Sequence, residues 1–210
     1  MRRREFIALL GSVTAVWPLA LRAQQREPAI NIGVLTDMSG LYAPSSGAGS
    51  VVAAEMAAED FGGEVLGRKI RVLFGDHKHN VDVASAITNR WFDDEQVGAV
   101  VDMPNSAVAL AVQKLAAARK RISVTVTGGS SDLTGKDCTN TGFHWAYDTY
   151  SNTVGIARAM VGFGLDTWYF ITADYAFGWS LEQNAKRSNR ESRRAGDWQL
   201  ASSFEHEQFP

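Results

Sequence analysis

The chain predicts an α/β fold, a parallel sheet with helices on both faces, and three features carry that prediction. Short apolar runs rich in β-branched residues alternate with segments whose apolar residues recur every three or four positions. Most runs end in Asp, Asn, Ser or Gly, the residues of turns and helix starts. Strands alternating with helices need crossover connections, which are right-handed and cover a parallel sheet from both sides.

The elements follow in order. Residues 30–36 form an apolar run (Ile30, Ile32, Val34, Leu35) that ends at Asp37, Ser39 and Gly40, a buried strand and its exit loop. Val52, Met56, Ala57 and Phe61 fall at helical spacing and Gly62 and Gly63 stop the run, which predicts a helix over 48–60. A second strand is expected at 70–75, a helix at 81–92 on Val83, Ile87 and Trp91, a third strand at 97–103 and a helix at 106–121 on Val108, Val112, Leu115 and Ala116. Residues 122–127 make a fourth strand ending in Gly128, Gly129, Ser130 and Ser131. A weaker strand at 142–146, a helix at 152–162, a strand at 168–172 and a helix from Gly178 begin a second βα series. The polar, turn-prone stretch 133–141 suits a crossing between lobes.

These readings divide the chain into a leader (1–23), an N-terminal lobe (24–141), the start of a second lobe (142–185) and an irregular charged tail (186–210). In the tail Arg187, Arg190, Arg193, Arg194, Asp197, Glu205 and Glu207 show no sustained apolar period. The tail reads as a departure from a longer parent chain. The leader runs from Arg2, Arg3 and Arg4 through an apolar stretch to Ala23, the layout of a secretory signal cut before Gln24. Arg3, Arg4, Phe6 and Ile7 also match the twin-arginine pattern of export in a folded state. Its apolar run is shorter than the roughly 20 residues of a bilayer span, so no stable membrane insertion is expected after cleavage.

Charge and composition exclude other classes. With 210 residues and 45% hydrophobic content the chain can bury a core. Losing the leader removes Arg2, Arg3, Arg4, Arg22 and Glu5 and moves the formal net charge from -2 to -5. No clustered basic face remains to neutralise phosphates, so no nucleic-acid partner is expected. The lone Cys138 has no disulfide partner within the chain and no base in sequence to activate it.

Chemistry concentrates in four loops at predicted strand ends: 36–46, 103–106, 128–132 and 173–178. Asn105 and Ser106, and Ser130 and Ser131, stand at helix starts, offering hydroxyl or amide groups beside free backbone N–H groups; capping alone is the competing account. Tyr42, Tyr147, Tyr150, Tyr175 and Phe177 gather in the same loops or near the crossing, as in pockets for small molecules. Catalysis is not expected. Gly47 and Gly49 lack the third glycine of a dinucleotide fingerprint, and residues 128–132 lack the glycine that follows a nucleophile elbow. Asp76, His77 and His79 read as a solvated loop and not as metal ligands. No catalytic residue, cofactor or metal site is therefore assigned.

The segments IGVLTDMSG (32–40), AAEMA (53–57) with DFGG (60–63), SSDLTG (130–135) and TADYAFG (172–178) together resemble the type I periplasmic solute-binding proteins of ABC importers, the leucine/isoleucine/valine-binding branch. The resemblance covers about residues 30–184. It implies two Rossmann-like lobes, the second incomplete here, that close on a small molecule and deliver it to a membrane permease. Carried over, the ligand contacts fall on Tyr42, on Asn105 or Ser106, on Gly128, Gly129, Ser130 and Ser131, and on Tyr175 or Phe177. The implied location is the periplasm and the implied ligand an amino acid, aromatic acid or amide. A ligand-sensing regulator on the same fold and an exported hydrolase are the alternatives. A chain lacking later parts of the second lobe is expected to bind weakly or not at all.

Overall fold

The computed structural model describes residues 28–165, 167–195 and 206–209; the leader expected over 1–23 lies outside them. One sheet holds β1 (Ile30–Thr36), β2 (Glu64–Val65), β3 (Arg68–Asp76), β4 (Val97–Asp102), β5 (Ile122–Thr125) and β6 (Gly142–His144), in the order β2-β3-β1-β4-β5-β6. Every pairing is parallel except the β2–β3 hairpin. That hairpin turns on Leu66 (φ 52°) and Gly67 (φ 74°), the left-handed pair of a tight two-residue turn.

Between the strands lie α1 (Gly47–Asp60), α2 (Val81–Asp93) and α3 (Ser106–Ala118). From β1 the chain steps outward through α1 to β3, then doubles back through α2 to β4 on the far side of β1. Right-handed crossovers that reverse direction put α1 on one face and α2 with α3 on the other. In keeping with this, α2 and α3 pack together while α1 meets β1 and β3. The reversal makes the carboxyl ends of β1 and β4 a topological switch point, where the exit loops diverge and leave a crevice.

The core lies under α2 and α3, with Leu35, Val97, Val100, Met103, Val108 and Val112 fully buried. Each such side chain contributes about 1.5–3 kcal/mol relative to exposure. Trp91 of α2 is 2% exposed, and its indole crosses β1 and β3 where both strands carry glycine. A Cβ on Gly33 would stand 2.5 Å from Trp91 Cε3 and Cζ3, and one on Gly75 would stand 3.1 Å from Cζ2.

Three expectations need correction. Helix α1 forms, but the stripe Val52, Met56 and Phe61 points outward; the helix turns Val51, Ala54 and Ala58 inward instead. Its smaller residues let the backbone approach the sheet. The strand at 142–144, expected to open the second lobe, pairs with β5 and completes the first sheet. The expected irregular tail is helical to Ala195, and residues beyond it include a strand.

The second βα series consists of α4 (Thr149–Gly162), β7 (Phe170–Ala173), α5 (Ala176–Ala195) and β8 (His206–Phe209), with β8 parallel to β7. Asp148 caps α4 in a reciprocal pair with Ser151. Helix α5 begins where expected, but its continuation past Lys186 escaped the apolar-period reading because the face it buries there carries Ser188 and Asn189. It is reinforced at i,i+4 by Glu182 with Lys186 and by Arg187 with Glu191.

The glycine slot under Trp91 makes a direct prediction. Gly33→Ala forces a methyl group into the indole and is expected to destabilise the chain by about 1–3 kcal/mol, read from the shift in urea midpoint at unchanged slope. An alanine variant as stable as the parent would show that the indole is not held in this slot.

Candidate functional site

Five loops at strand ends meet at the switch point. After β1, the fully buried Asp37 accepts hydrogen bonds from the N–H groups of Gly40 (2.8 Å) and Tyr42 (3.0 Å). A side chain on Gly40 would strike that carboxylate, since its Cβ would lie 2.6 Å from Asp37 Oδ1. This turn fixes the backbone from which Tyr42 projects.

After β3 comes the loop that sequence reasoning set aside as solvated. His77 is fully buried, and its Nδ1 accepts the His79 N–H at 3.0 Å. Its proton therefore sits on Nε2. The ring of His79 lies 5.6 Å from that of Tyr42 and 5.3 Å, edge-on, from that of Tyr175. Asp76 anchors the same loop, accepting from the N–H groups of Met38 and Lys78 and from Ser39 Oγ. Burial works against its ionisation but is outweighed by those hydrogen bonds and by His77, so its carboxyl is held below the ordinary value.

After β4, Asn105 is 2% exposed and caps α3, its Oδ1 accepting from Ala107 N at 2.8 Å and Val108 N at 3.1 Å. Its Nδ2 lies 3.1 Å from the His79 ring nitrogens. Ser106 Oγ accepts the Ser130 N–H at 3.1 Å and so ties the loop after β4 to the loop after β5.

After β5, Gly128 passes so close to β4 that a Cβ would lie 2.7 Å from the Met103 carbonyl oxygen. A Cβ on Gly129 would lie 3.0 Å from Phe177 Cε2 and 3.4 Å from Tyr147 Cε2. Two aromatic rings thus rest on bare backbone. Ser130 Oγ accepts from Asp132 N and caps a short 3-10 turn, Ser131–Leu133. The Ser131 N–H reaches Thr149 Oγ1 at 2.9 Å. Thr149 Oγ1 also meets Ser180 Oγ at 2.6 Å and accepts from Asn184 Nδ2 at 3.1 Å. Ser131 Oγ lies 3.3 Å from Ser180 Oγ and accepts from Asn184 Nδ2 at 3.0 Å.

After β7, Tyr175 and Phe177 stack with ring centroids 6.1 Å apart. The hydroxyls of Tyr175 and Tyr42 touch. Burial, then the contact with Tyr42, pushes the Tyr175 phenol well above its ordinary pKa, so it stays neutral and able to donate.

The nine expected site residues therefore form one connected group, in two parts. Tyr42, Asn105, Gly129, Tyr175 and Phe177 make an aromatic wall with an amide at its edge, while Gly128 packs behind it against the Met103 carbonyl, Thr125 and Ala109. Ser106, Ser130 and Ser131 engage in bonds between loops and in capping. The reading of the sequence missed His79 in the wall, and Thr149, Ser180 and Asn184 beneath it. Only a spacing of small polar residues on α5 (Ser180, Asn184, Ser188) hinted at the latter. A hollow of about 430 Å³ runs along β7 beside Trp168, Phe170 and Leu181, and shares only Phe177 with the expected site.

Residues 29–194 match a family model described as periplasmic binding protein. No curated protein matches the chain. Among solved structures it is similar to a periplasmic binding protein from Burkholderia mallei, with 40% identity, a TM-score of 0.75, and coverage of 78% of this chain and 44% of that one. It is also similar to a branched chain amino acid ABC transporter periplasmic ligand-binding protein from Burkholderia xenovorans LB400: 32% identity, TM-score 0.68, 86% and 46% coverage. In fold alone, at 20% identity, it matches a solute binding protein of an ABC transporter from Rhodopseudomonas palustris BisB5 in complex with 3,4-dihydroxy benzoic acid, with a TM-score of 0.67 and 87% and 47% coverage. The chain spans less than half the length of each.

His77 sets an acid limit on the loop beneath the wall. Burial holds its imidazole below the ordinary 6.5, against the pull of Asp37, Asp76 and Asp102. The unfolded chain then takes up a proton that the fold resists, so stability is full above about pH 6.5 and declines as the pH falls below it. Urea midpoints measured between about pH 7.5 and pH 5 are expected to drop, and to drop less in His77→Gln. Equal slopes in parent and variant would remove His77 from this role.

Proposed function

The chain belongs to the periplasmic binding protein family, and from that premise we propose that it captures a small polar or amphipathic molecule for an ABC importer. The observation that carries this reading is the meeting of Tyr42, His79 and Asn105, from exit loops of the first sheet, with Tyr175 and Phe177 from the second βα series. A wall made from two separate series opens and closes when they move relative to each other, which is how a carrier holds and releases its load. Flat apolar faces with a few donors at their edge suit an amino acid, an aromatic acid or an amide.

In this reading Tyr42, Asn105, Tyr175 and Phe177 contact the ligand directly, and Gly128 and Gly129 set the backbone on which the aromatic side of the wall rests. Ser106, Ser130 and Ser131 complete the floor with their remaining hydrogen-bonding capacity. The crossing between the lobes runs through 145–148, and residues from 149 onward open the second lobe. Delivery goes to a membrane permease. The family's members are solute-binding proteins, and capture needs no bond-breaking step, so no turnover is expected.

The proposed compartment is the periplasm, reached through the leader over 1–23. Among the described residues no helix is long and apolar enough to cross a membrane. Support for export comes from the layout of the leader, from three arginines through an apolar run to Ala23.

Titration of the chain with amino acids, benzoate-type acids and short amides, followed by tryptophan fluorescence and calorimetry, is expected to show weak binding, saturating only towards millimolar concentration, for at least one class. Tyr42→Ala and Tyr175→Ala are each expected to weaken that binding by about tenfold or more, the usual effect of removing a central aromatic anchor. If no compound produces a saturating change even at millimolar concentration, or if both variants bind as the parent does, capture by this wall is refuted.

A further inference from the structure

The side chains offered to a guest are already partnered with one another. The hydroxyls of Tyr42 and Tyr175 touch, from loops 133 positions apart in the chain. The His79 ring lies against both phenol rings, and the Asn105 NH₂ group lies 3.1 Å from its nitrogens. Phe177 stacks on Tyr175 and rests over Gly129. A molecule that enters between the first sheet and the second series therefore has to part Tyr42 from Tyr175.

Each phenol stands on a backbone that cannot follow the other. The Asp37 carboxylate holds the Tyr42 N–H, and the Tyr175 N–H is tied to the Ala173 carbonyl at 2.8 Å. Whether the two hydroxyls meet is thus decided by how the two series sit against each other. The contact also lies where their relative movement is largest. The chain leaves the first sheet at β6 and enters α4 at Thr149, and the bonds that Ser131 and Gly129 make to Thr149, Ser180 and Asn184 gather in the loop after β5, next to that exit. Tyr42 instead follows β1, three strand positions from β6, roughly 14 Å away at the ordinary strand spacing. A swing about the exit opens this far end most.

On the capture reading, we propose that the Tyr42–Tyr175 hydroxyl contact is an autoinhibitory latch: it holds the empty crevice shut, a guest has to break it, and it lowers apparent affinity in proportion to the fraction of molecules it keeps closed. Rings and hydroxyls then have different roles. The rings give the guest a flat surface, while the hydroxyls supply one neutral hydrogen bond, which favours the closed form by about two- to tenfold. Both phenols are half-buried, so in an open crevice water satisfies the freed hydroxyls.

Tyr42→Phe and Tyr175→Phe keep the rings and remove the contact. Calorimetric titration of the full chain with leucine, benzoate and benzamide is expected to show each variant binding about two- to tenfold more tightly than the parent, for whichever compound the parent binds. Binding that emerges only in the variants counts equally for the latch. The double variant is expected to match the singles, because either change alone already breaks the bond. Nitroxide labels on Glu55→Cys in α1 and Gln183→Cys in α5, both exposed positions, with the exposed Cys138 replaced by serine, report the separation of the two series by pulsed electron paramagnetic resonance. The ligand-free distance is expected to lengthen and spread in both single variants. Circular dichroism confirms that each protein is folded. Phenylalanine variants that bind equally or more weakly, a double variant whose gain is the product of the two single gains, or unchanged label distances overturn the latch while leaving capture intact. If the distances shift but none of the three compounds binds any of the proteins, the contact gates no guest and the latch is overturned; capture itself falls only if the wider panel of compounds also fails.

Discussion

The hydroxyl of Thr149 is the most highly connected of the hydrogen-bonding groups described between the two βα series. It receives the Ser131 N–H from the end of the first sheet and meets Ser180 and Asn184 on α5, all within 3.1 Å. Thr149 is fully buried, and Ser180 nearly so. Water is therefore not available to replace a lost partner, and each unmade bond there costs about 1–3 kcal/mol. Tyr175 and Phe177 ride on the first turn of α5 and the loop just before it. Their position opposite Tyr42 and His79 follows from where this cluster anchors that helix. An apolar contact of the same area tolerates sliding; directed hydrogen bonds among short side chains do not.

On the other side of the crevice, the geometry depends on small residues that let large ones lie flat. Trp91 needs Gly33 and Gly75, Asp37 needs Gly40, and Phe177 and Tyr147 need Gly129. Local strain appears where the loops must diverge. Asp102 (φ 83°) and Met103 (φ 57°) are left-handed at the end of β4, and both are buried. They persist because Met103 N–H bonds to the Leu35 carbonyl and the Asp102 carbonyl accepts from Val126 N–H, which clamps the turn between its two neighbouring strands. That turn delivers Asn105 to the cap of α3.

The order of strands and helices was legible because it rests on local periodicity and turn chemistry, and the seven expected elements from β1 to β5 lie within a few residues of expectation. The failures share a cause: each depends on what packs against the element from far along the chain. Two apolar stripes run along α1, and nothing in the stripe itself says that Val51 faces the sheet and Met56 the solvent. Strand β6 is three residues long and is defined by its partner β5. Helix α5 buries serine and asparagine, a pattern that an apolar test reads as surface. The site divided in the same way. The aromatic residues singled out in strand-end loops include Tyr42, Tyr175 and Phe177, which the fold brings together, while His79 looked like part of a solvated loop. Its exposure is decided by Tyr42 and Tyr175, which lie 37 positions before it and 96 after it.

Asn105 shows why residue type at such a junction is constrained from two directions. Its oxygen must accept from Ala107 N and Val108 N, or α3 begins with unsatisfied donors in a buried place. Serine or aspartate satisfies that demand equally well. Serine, however, has no second arm to extend toward His79, and aspartate turns a carboxylate oxygen toward the wall where asparagine turns an NH₂. Only the amide caps the helix with one atom and donates with the other. The helix start and the character of the wall are thereby coupled through a single side chain.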